Sequence, residues 1–134
     1  MTTGPSGEFA RTRLQLANEM LNNARTMLDE GSLRSAAGRA YYAMFHAAQA
    51  ALIKHGLKPP KTHRGLRALF GERLAKAGLI EGQYSTDFVA AQQMRRIGTY
   101  ELYVNFGVET VTEIVSKAEN FVRRIEVFVQ EEKQ

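Results

Sequence analysis

The chain lacks cysteine altogether, and this absence removes several kinds of chemistry at once. Without thiols there are no disulfides, no zinc–thiolate or iron–sulfur sites and no cysteine nucleophile. Tryptophan is also absent, and only 3 prolines interrupt the 134 residues, so long regular elements are expected. That length fits a single domain, and a hydrophobic content of 44% favours a folded chain over a disordered one.

Long apolar runs are missing as well. The most apolar stretch, residues 40–53, has 14 residues and includes His46 and Gln49, whereas a membrane span needs about 20 apolar residues. The first seven residues contain no basic or apolar segment of the kind that directs secretion. We therefore predict a soluble, cytoplasmic protein without a membrane segment, in which residues 1–7 form a flexible leader and residues 8–134 a single helical domain.

Common catalytic and cofactor motifs are absent too. There is no Gly-rich phosphate loop, no dinucleotide-binding Gly-x-Gly-x-x-Gly and no serine nucleophile elbow. The three histidines, His46, His55 and His63, have no second His or carboxylate at the spacing that metal sites in helix bundles use. The sequence therefore predicts neither a metal nor a cofactor.

Apolar side chains recur at three- and four-residue steps along almost the whole chain, a spacing typical of amphipathic helices. No segment shows the sustained alternation of a strand. Gly31 is predicted to be a left-handed C-cap, and Ser32 and Thr62 are predicted N-caps. We predict an all-α, up-and-down bundle of about five helices, over roughly residues 8–30, 32–55, 62–78, 85–104 and 108–132.

The second predicted helix carries unlike residues on its two sides. At about 100° per residue, one side collects small and apolar residues, namely Ala36, Ala40, Met44, Ala47, Ala48, Ala51 and Leu52. The opposite side carries Arg39, Tyr42, Phe45, His46, Gln49 and Ile53. Such a helix is either central in the bundle or also faces a ligand or a partner, and the sequence leaves both interpretations open.

Positive charge is concentrated in one short segment. The chain carries a net +4, yet residues 54–67 hold 5 Lys and Arg and no acid, so the remainder has 13 basic against 14 acidic residues. Thr62 begins a predicted helix there, and the free N–H groups at a helix start favour anions. Lys61, Thr62, His63 and Arg64 are therefore predicted to hold a phosphate. The alternative is a solvated basic loop with an ordinary threonine cap.

In the fourth predicted helix, one arginine lies on the side that otherwise carries apolar residues. Arg95 shares a stripe with Phe88, Ala91, Gly98 and Leu102. A guanidinium in that position needs a carboxylate, a phosphate or a water-filled cleft, so Arg95 is either half of a structural ion pair or an anion contact. Arg96 projects to another side, and Tyr100 lies about 140° round from Arg95. Arg95 and Tyr100 converge only if Gly98 bends the helix, or across a dimer axis.

Three segments resemble HEPN domains (higher eukaryotes and prokaryotes nucleotide-binding), and most closely their small stand-alone prokaryotic branch. They are the alanine-rich run Ser35–Leu52, the Lys-Thr-His-Arg-Gly element at 61–65 with Leu-Phe-Gly at 69–71, and the Arg-x-x-x-x-Tyr element at 95–100. The resemblance covers residues 10–130 in round numbers. It implies a five-helix bundle that pairs into a homodimer, with the fourth-helix residues meeting in a cleft.

The resemblance also implies an activity, because many HEPN proteins are metal-independent ribonucleases and toxins paired with a small nucleotidyltransferase antitoxin. In their motif an Arg stabilises the phosphate, and a His four to six residues later acts on the 2′-hydroxyl or the leaving oxygen. This sequence has Tyr100 in that interval, Thr99 where the branch commonly has Asp, and no His in residues 96–134. A phenol, with an ordinary pKa of about 10, is a poor general base near neutrality.

Three hypotheses follow. In the first, a HEPN protein without the usual His binds nucleotide or RNA phosphate through Arg95, Arg96, Tyr100 and the Lys61–Arg64 segment, and acts with a nucleotidyltransferase partner. The second is an active ribonuclease toxin. The third is a non-enzymatic interaction module whose basic segment meets an acidic partner.

The catalytic candidates for the ribonuclease hypothesis are Arg95, Tyr100 and His46. Either His46 or His63 replaces the missing His only if the fold brings it beside Arg95.

Overall fold

The computed structural model describes residues 5–100 and 107–131, with side chains over 7–97 and 107–131, and every regular element in those ranges is helical. The predicted all-α bundle of about five helices is confirmed. No helix in this part of the chain is long and apolar enough to cross a membrane. The helices are α1 (Pro5–Asp29), α2 (Leu33–Lys54), α3 (His63–Phe70), α4 (Gly82–Tyr100) and α5 (Val108–Glu131).

α2 lies at the centre of the bundle and contacts each of the other four α-helices. Its alanine-rich side is fully buried, because small side chains there allow neighbouring backbones to approach closely. The six residues on its opposite side, from Arg39 to Ile53, are only half-buried. The central position of α2 is therefore confirmed, while the interpretation that its opposite side faces a ligand or a partner stays a prediction.

An aromatic layer fills the core beneath that face. The rings of Phe70, Phe88 and Phe121 have centroids between 5.3 and 6.0 Å apart. Tyr41 of α2 stacks on Phe88 at 5.7 Å, and all four rings are shielded from solvent. This layer fixes where the side chain of Tyr41 stands relative to α4.

A left-handed glycine ends α1, as predicted. Gly31 has a φ of +81°, and the Ser32 amide donates to the Met27 carbonyl at 2.8 Å, which closes the helix end. Gly56, with a φ of +88°, ends α2 in the same way. These two positions require glycine because a Cβ is strained in this region of the backbone.

The two predicted N-caps differ from each other. The Oγ1 atom of Thr62 accepts a hydrogen bond from the Gly65 amide at 3.0 Å, so Thr62 caps α3 as predicted. Ser32 occupies the N-cap position of α2 but makes no capping hydrogen bond. Its ψ is 73°, against an extended ψ of 150° at Thr62, so its backbone does not have the conformation typical of a capping residue.

The third predicted helix is wrong in its extent. It was expected to run to residue 78, but α3 ends at Phe70 and the chain continues as a π-helical turn, Gly71–Ala75. A Cβ on Gly71 would lie 3.1 Å from Oγ of Ser85, so α4 packs closely against the start of this turn. α4 itself begins at Gly82, before the predicted start, and its predicted end near residue 104 lies outside the described residues.

Enlarging a side chain on the buried side of α2 should destabilise the bundle. Ala47 is 0% exposed, so the added methylenes of Ala47→Leu have to displace neighbouring helices, at a cost of about 1–3 kcal/mol in the free energy of unfolding. The matched control is Ala68→Leu at an exposed position of α3, with a change below about 0.5 kcal/mol. Urea unfolding followed by circular dichroism measures both. Equal urea midpoints for Ala47→Leu and Ala68→Leu would contradict the close packing around α2.

Candidate functional site

The half-buried face of α2 meets the start of α3 and the second half of α4. Oη of Tyr41 and Nδ1 of His63 lie 2.6 Å apart and share a hydrogen bond. On the same side, Nη2 of Arg95 donates to Oη of Tyr42 at 3.0 Å. Arg67, one helical turn after His63, lies close enough to Tyr41 and His63 to influence their titration. We refer to Tyr41, Tyr42, His63, Arg67 and Arg95 as the His63–Arg95 cluster.

Aromatic rings hold both functional groups of the cluster in place. The His63 ring has its centroid 4.9 Å from that of Phe45, 5.5 Å from Tyr41 and 6.0 Å from Tyr42. The guanidinium carbon of Arg95 lies 5.3 Å from the Tyr42 centroid and 6.0 Å from that of Tyr41, within the range of a cation–π contact. One pair of adjacent tyrosines therefore positions a histidine from α3 and an arginine from α4.

The arginines of the cluster are not neutralised by any carboxylate that the structure describes. Neither Arg95 nor Arg67 forms an ion pair there, and Nε of Arg67 is buried without a hydrogen-bond partner. Among the described side chains, no three His, Cys, Asp or Glu residues are grouped as a metal site would require. Acids instead pair with cations along α5, in Arg25–Glu119, Lys117–Asp87 and Arg124–Glu81.

The surroundings shift the titration of the histidine and the buried tyrosine in opposite directions. Burial, and then the positive charges of Arg95 and Arg67, lower the pKa of His63. Burial raises the pKa of Tyr41 to about 12, and the two arginines oppose that rise. Tyr41 therefore keeps its proton and can donate it to Nδ1 of a neutral His63, which places the ring proton on Nε2. Nε2 makes no hydrogen bond to another described residue, so its hydrogen-bonding capacity is unused in the described part of the chain.

Of the other residues predicted for phosphate binding, none with a described side chain makes a hydrogen bond or a ring contact to a side chain of the cluster. Thr62 uses its hydroxyl oxygen as the cap of α3. Arg64 and Arg96 are exposed, each next in sequence to a cluster residue. Lys61 lines a groove between α1, α2 and the loop of residues 56–61. Tyr100 is the last residue of α4, and its side chain lies outside the described residues.

His46 occupies a different neighbourhood from His63. It follows Tyr42 by one turn of α2 and lies near Arg13 of α1. Burial and then Arg13 lower its pKa, and its Nδ1 has no hydrogen-bond partner among the described residues. No contact joins His46 to Arg95 in that part of the chain. Of the two histidines that could stand in for the missing one, His63 is the one that shares its neighbours with Arg95.

Sequence reasoning missed the contributions of Tyr41 and Arg67. Tyr41 was part of the tyrosine pair in the alanine-rich run, but helical spacing alone gave no reason to join it to a histidine 22 residues later. Arg67 was counted with the basic segment and not as a site residue. Its position one turn after His63, on the same side of a helix, was the available signal.

Comparison with known proteins supports a relationship along nearly the whole chain. The HEPN domain family matches residues 10–128, which include every residue of the cluster. A UPF0332 protein of Thermotoga maritima is 32% identical over 124 residues, covering 92% of this chain and 91% of that protein. A UPF0332 protein of Pyrococcus horikoshii is 34% identical over 90 residues, or 67% of this chain and 63% of that protein. A Methanocaldococcus jannaschii protein named "Putative toxin" is 32% identical over 124 residues, with coverages of 92% and 91%.

Removing the charge of Arg95 should raise the pKa of His63. Arg95→Gln deletes a cation that disfavours the imidazolium, while the burial that depresses the pKa most remains. The His63 pKa should therefore rise part of the way towards its ordinary value. A pH titration of the histidine Cε1–H signals by NMR measures it. Arg96→Gln, which removes a neighbouring but exposed cation, is the matched control. The same His63 pKa in both variants would contradict the proximity of Arg95.

Proposed function

Since the chain belongs to the HEPN domain family, we propose that it is a toxin-like member that binds the phosphate groups of RNA or of a nucleotide at the His63–Arg95 cluster. One observation carries the proposal. Two arginines and a histidine converge on a tyrosine pair, and no described carboxylate neutralises them. Uncompensated guanidinium groups in a partly dehydrated site attract anions, and their planar fork of donors matches a phosphate.

Each residue of the cluster has a separate task in this proposal. Tyr42 engages one nitrogen of Arg95, which leaves the remaining N–H groups of the guanidinium for phosphate oxygens. Arg67 supplies a second positive charge beside Tyr41 and His63. His63 donates from Nε2 when Tyr41 donates to Nδ1. The exposed Arg64 and Arg96 are secondary contacts to neighbouring phosphates.

We extend the proposal to the protein's partners on the strength of the HEPN resemblance. A small nucleotidyltransferase would act as antitoxin, and the relative named as a toxin supports that kind of pairing. The neighbouring reading frame is the first place to look for such a partner. Two copies of this chain would form a homodimer with the α4 residues of both in one cleft, and the mass in solution is the measurement that decides this.

Phosphate binding at the cluster should weaken when either arginine is removed. The test uses a fluorescein-labelled single-stranded RNA of about 12 nucleotides. Its affinity for the protein, followed by anisotropy between about 50 and 200 mM salt, should fall steeply because phosphate contacts release counterions. Arg95→Gln and Arg67→Gln should each weaken binding about 10- to 100-fold, since a charge-assisted hydrogen bond contributes about 1.5–3 kcal/mol and each 1.4 kcal/mol is a factor of ten. Each variant should also reduce the slope of log affinity against log salt concentration by about 0.7, the value expected for one lost phosphate contact on a single strand.

The matched control for these variants is Arg123→Gln, which removes an exposed cation on α5 whose recorded contact is Asn120. It should leave both the affinity and the salt slope near those of the unmodified protein. Unchanged binding in Arg95→Gln and Arg67→Gln, with normal folding, would place RNA somewhere other than the cluster.

A metal-independent ribonuclease is the second candidate function, and the position of His63 favours it. In the other tautomer of His63, Nδ1–H donates to Oη of Tyr41, so Nε2 is left bare and can accept the proton of an RNA 2′-hydroxyl. That oxygen then attacks the adjacent phosphorus, forming a 2′,3′-cyclic phosphate, and the 5′-oxygen leaves with a proton from the solvent or from the imidazolium. Arg95 and Arg67 would stabilise the charge that develops on the phosphorane oxygens.

If this second candidate is right, the protein should cleave a mixed RNA pool in the presence of EDTA. His63→Gln should lower the rate about 10²–10⁴-fold, the usual contribution of a general acid–base group. His46→Gln, which alters a histidine outside the cluster, should retain the activity. Denaturing electrophoresis with detection of the cyclic phosphate gives the readout. Intact RNA with the unmodified protein would remove the ribonuclease hypothesis and leave the binding proposal standing.

A further inference from the structure

A groove lies on the same face of α2 as the cluster, further towards the end of the helix. It runs between α1, the last two turns of α2 and the loop of residues 56–61, and it has a volume of about 780 Å³. That volume is in the range of sites that hold a ligand or the side chains of a bound segment. We refer to it as the α1–α2 groove. Nothing in the proposed phosphate chemistry requires it.

The walls of the groove are largely apolar. Ile53 of α2, with Leu57 and Pro59 of the loop, lines one side. Phe9 of α1 lines the other, and its side chain is 61% exposed. A large aromatic side chain exposed beside a concave apolar surface is typical of an interaction site. Aliphatic and proline side chains form shallow pockets that fit the side chains of another protein.

The polar residues of the groove are three cations, a threonine and a glutamine. Arg13 and Thr12 come from α1, Gln49 from α2, and Lys58 and Lys61 from the loop. None of the three cations forms an ion pair with a carboxylate that the structure describes, and none of the described lining residues is acidic. Oε1 of Gln49 is buried beside His46, so it is not open to a molecule in the groove. An occupant that supplies carboxylates would pair with the uncompensated cations.

We propose that the α1–α2 groove is a docking site for a short acidic segment of a partner protein, with apolar side chains between its carboxylates. The apolar residues of the segment would pack against Phe9 and Ile53, and its carboxylates would pair with Arg13, Lys58 and Lys61. The proposal does not depend on phosphate binding at the cluster.

The lining favours a peptide over a single strand of RNA. Proteins bind single-stranded nucleic acid by stacking successive bases on aromatic side chains along a positive channel. Here Phe9 is the one aromatic residue in the lining, and aliphatic residues and prolines occupy the rest of the apolar wall. A segment that carries both carboxylates and aliphatic side chains matches a groove lined by both cations and apolar residues, whereas nucleic-acid bases do not.

The test is a selection from a random library of peptides of about ten residues, displayed on phage, against the intact protein. The enriched peptides should be richer in Asp, Glu and aliphatic residues than the input library. Synthetic versions of them should then bind about tenfold more weakly to Lys58→Glu and to Phe9→Ala. Phe9 is largely exposed, so its truncation does not disturb the core. Matched controls with unchanged binding are Lys76→Glu and Val108→Ala, at exposed positions elsewhere.

Each alternative outcome would overturn the proposal. No enrichment, or enrichment without acidic residues, would exclude an acidic segment as the occupant. Equal binding to Lys58→Glu, Phe9→Ala and their controls would place the peptide elsewhere. Weaker RNA binding by Lys58→Glu with unchanged peptide binding would assign the groove to nucleic acid. A concentration-dependent mass that falls in Phe9→Ala would assign it to a second copy of the chain.

Discussion

Close packing around the alanine side of α2 is the constraint on which the rest of the molecule depends. α2 contacts each of the other four α-helices, and it can do so because its buried side chains are mostly a single methyl group. Neighbouring helices are held near the α2 backbone, and the half-buried residues of α2 are left on its opposite side. Tyr42, Phe45 and Gln49 therefore line a surface that the bundle does not fill. The position of both candidate sites follows from this division of one helix into two unlike sides.

The same division explains what could be predicted from the sequence. Helical periodicity identified five helices and the buried side of α2, because a buried helix face places apolar residues at every third or fourth position of the sequence. The left-handed C-cap at Gly31 was predictable because glycine is the residue that most readily adopts the backbone conformation with positive φ at the end of a helix. The π-helical turn after Phe70 was not, since apolar spacing continues through it and no residue type there marks a change of helix type. Ser32 looked like a cap for the same local reason as Thr62, and only the backbone torsions distinguish them.

The candidate site was harder to predict because it is assembled from three helices. Sequence spacing identified Arg95 as a charged residue on an apolar stripe, and the basic segment identified His63. Neither pattern showed that a tyrosine pair on α2 joins them. The HEPN motif has its Arg and His on one helix, whereas here the imidazole near the arginine comes from the start of α3. The Thr62 cap matters for this reason, since it holds the helix start that carries His63.

α2 carries the two candidate sites next to each other. Gln49 of the groove follows Tyr42 of the cluster by seven residues without glycine or proline, which corresponds to about 10 Å of straight helix. The loop that lines the groove ends at Lys61, two residues before His63. The screening length at physiological salt is about 8 Å, so a charge bound in the groove is only partly screened at the cluster. The two sites therefore share an electrostatic environment, and an acidic molecule in the groove would offset part of the positive charge at the cluster.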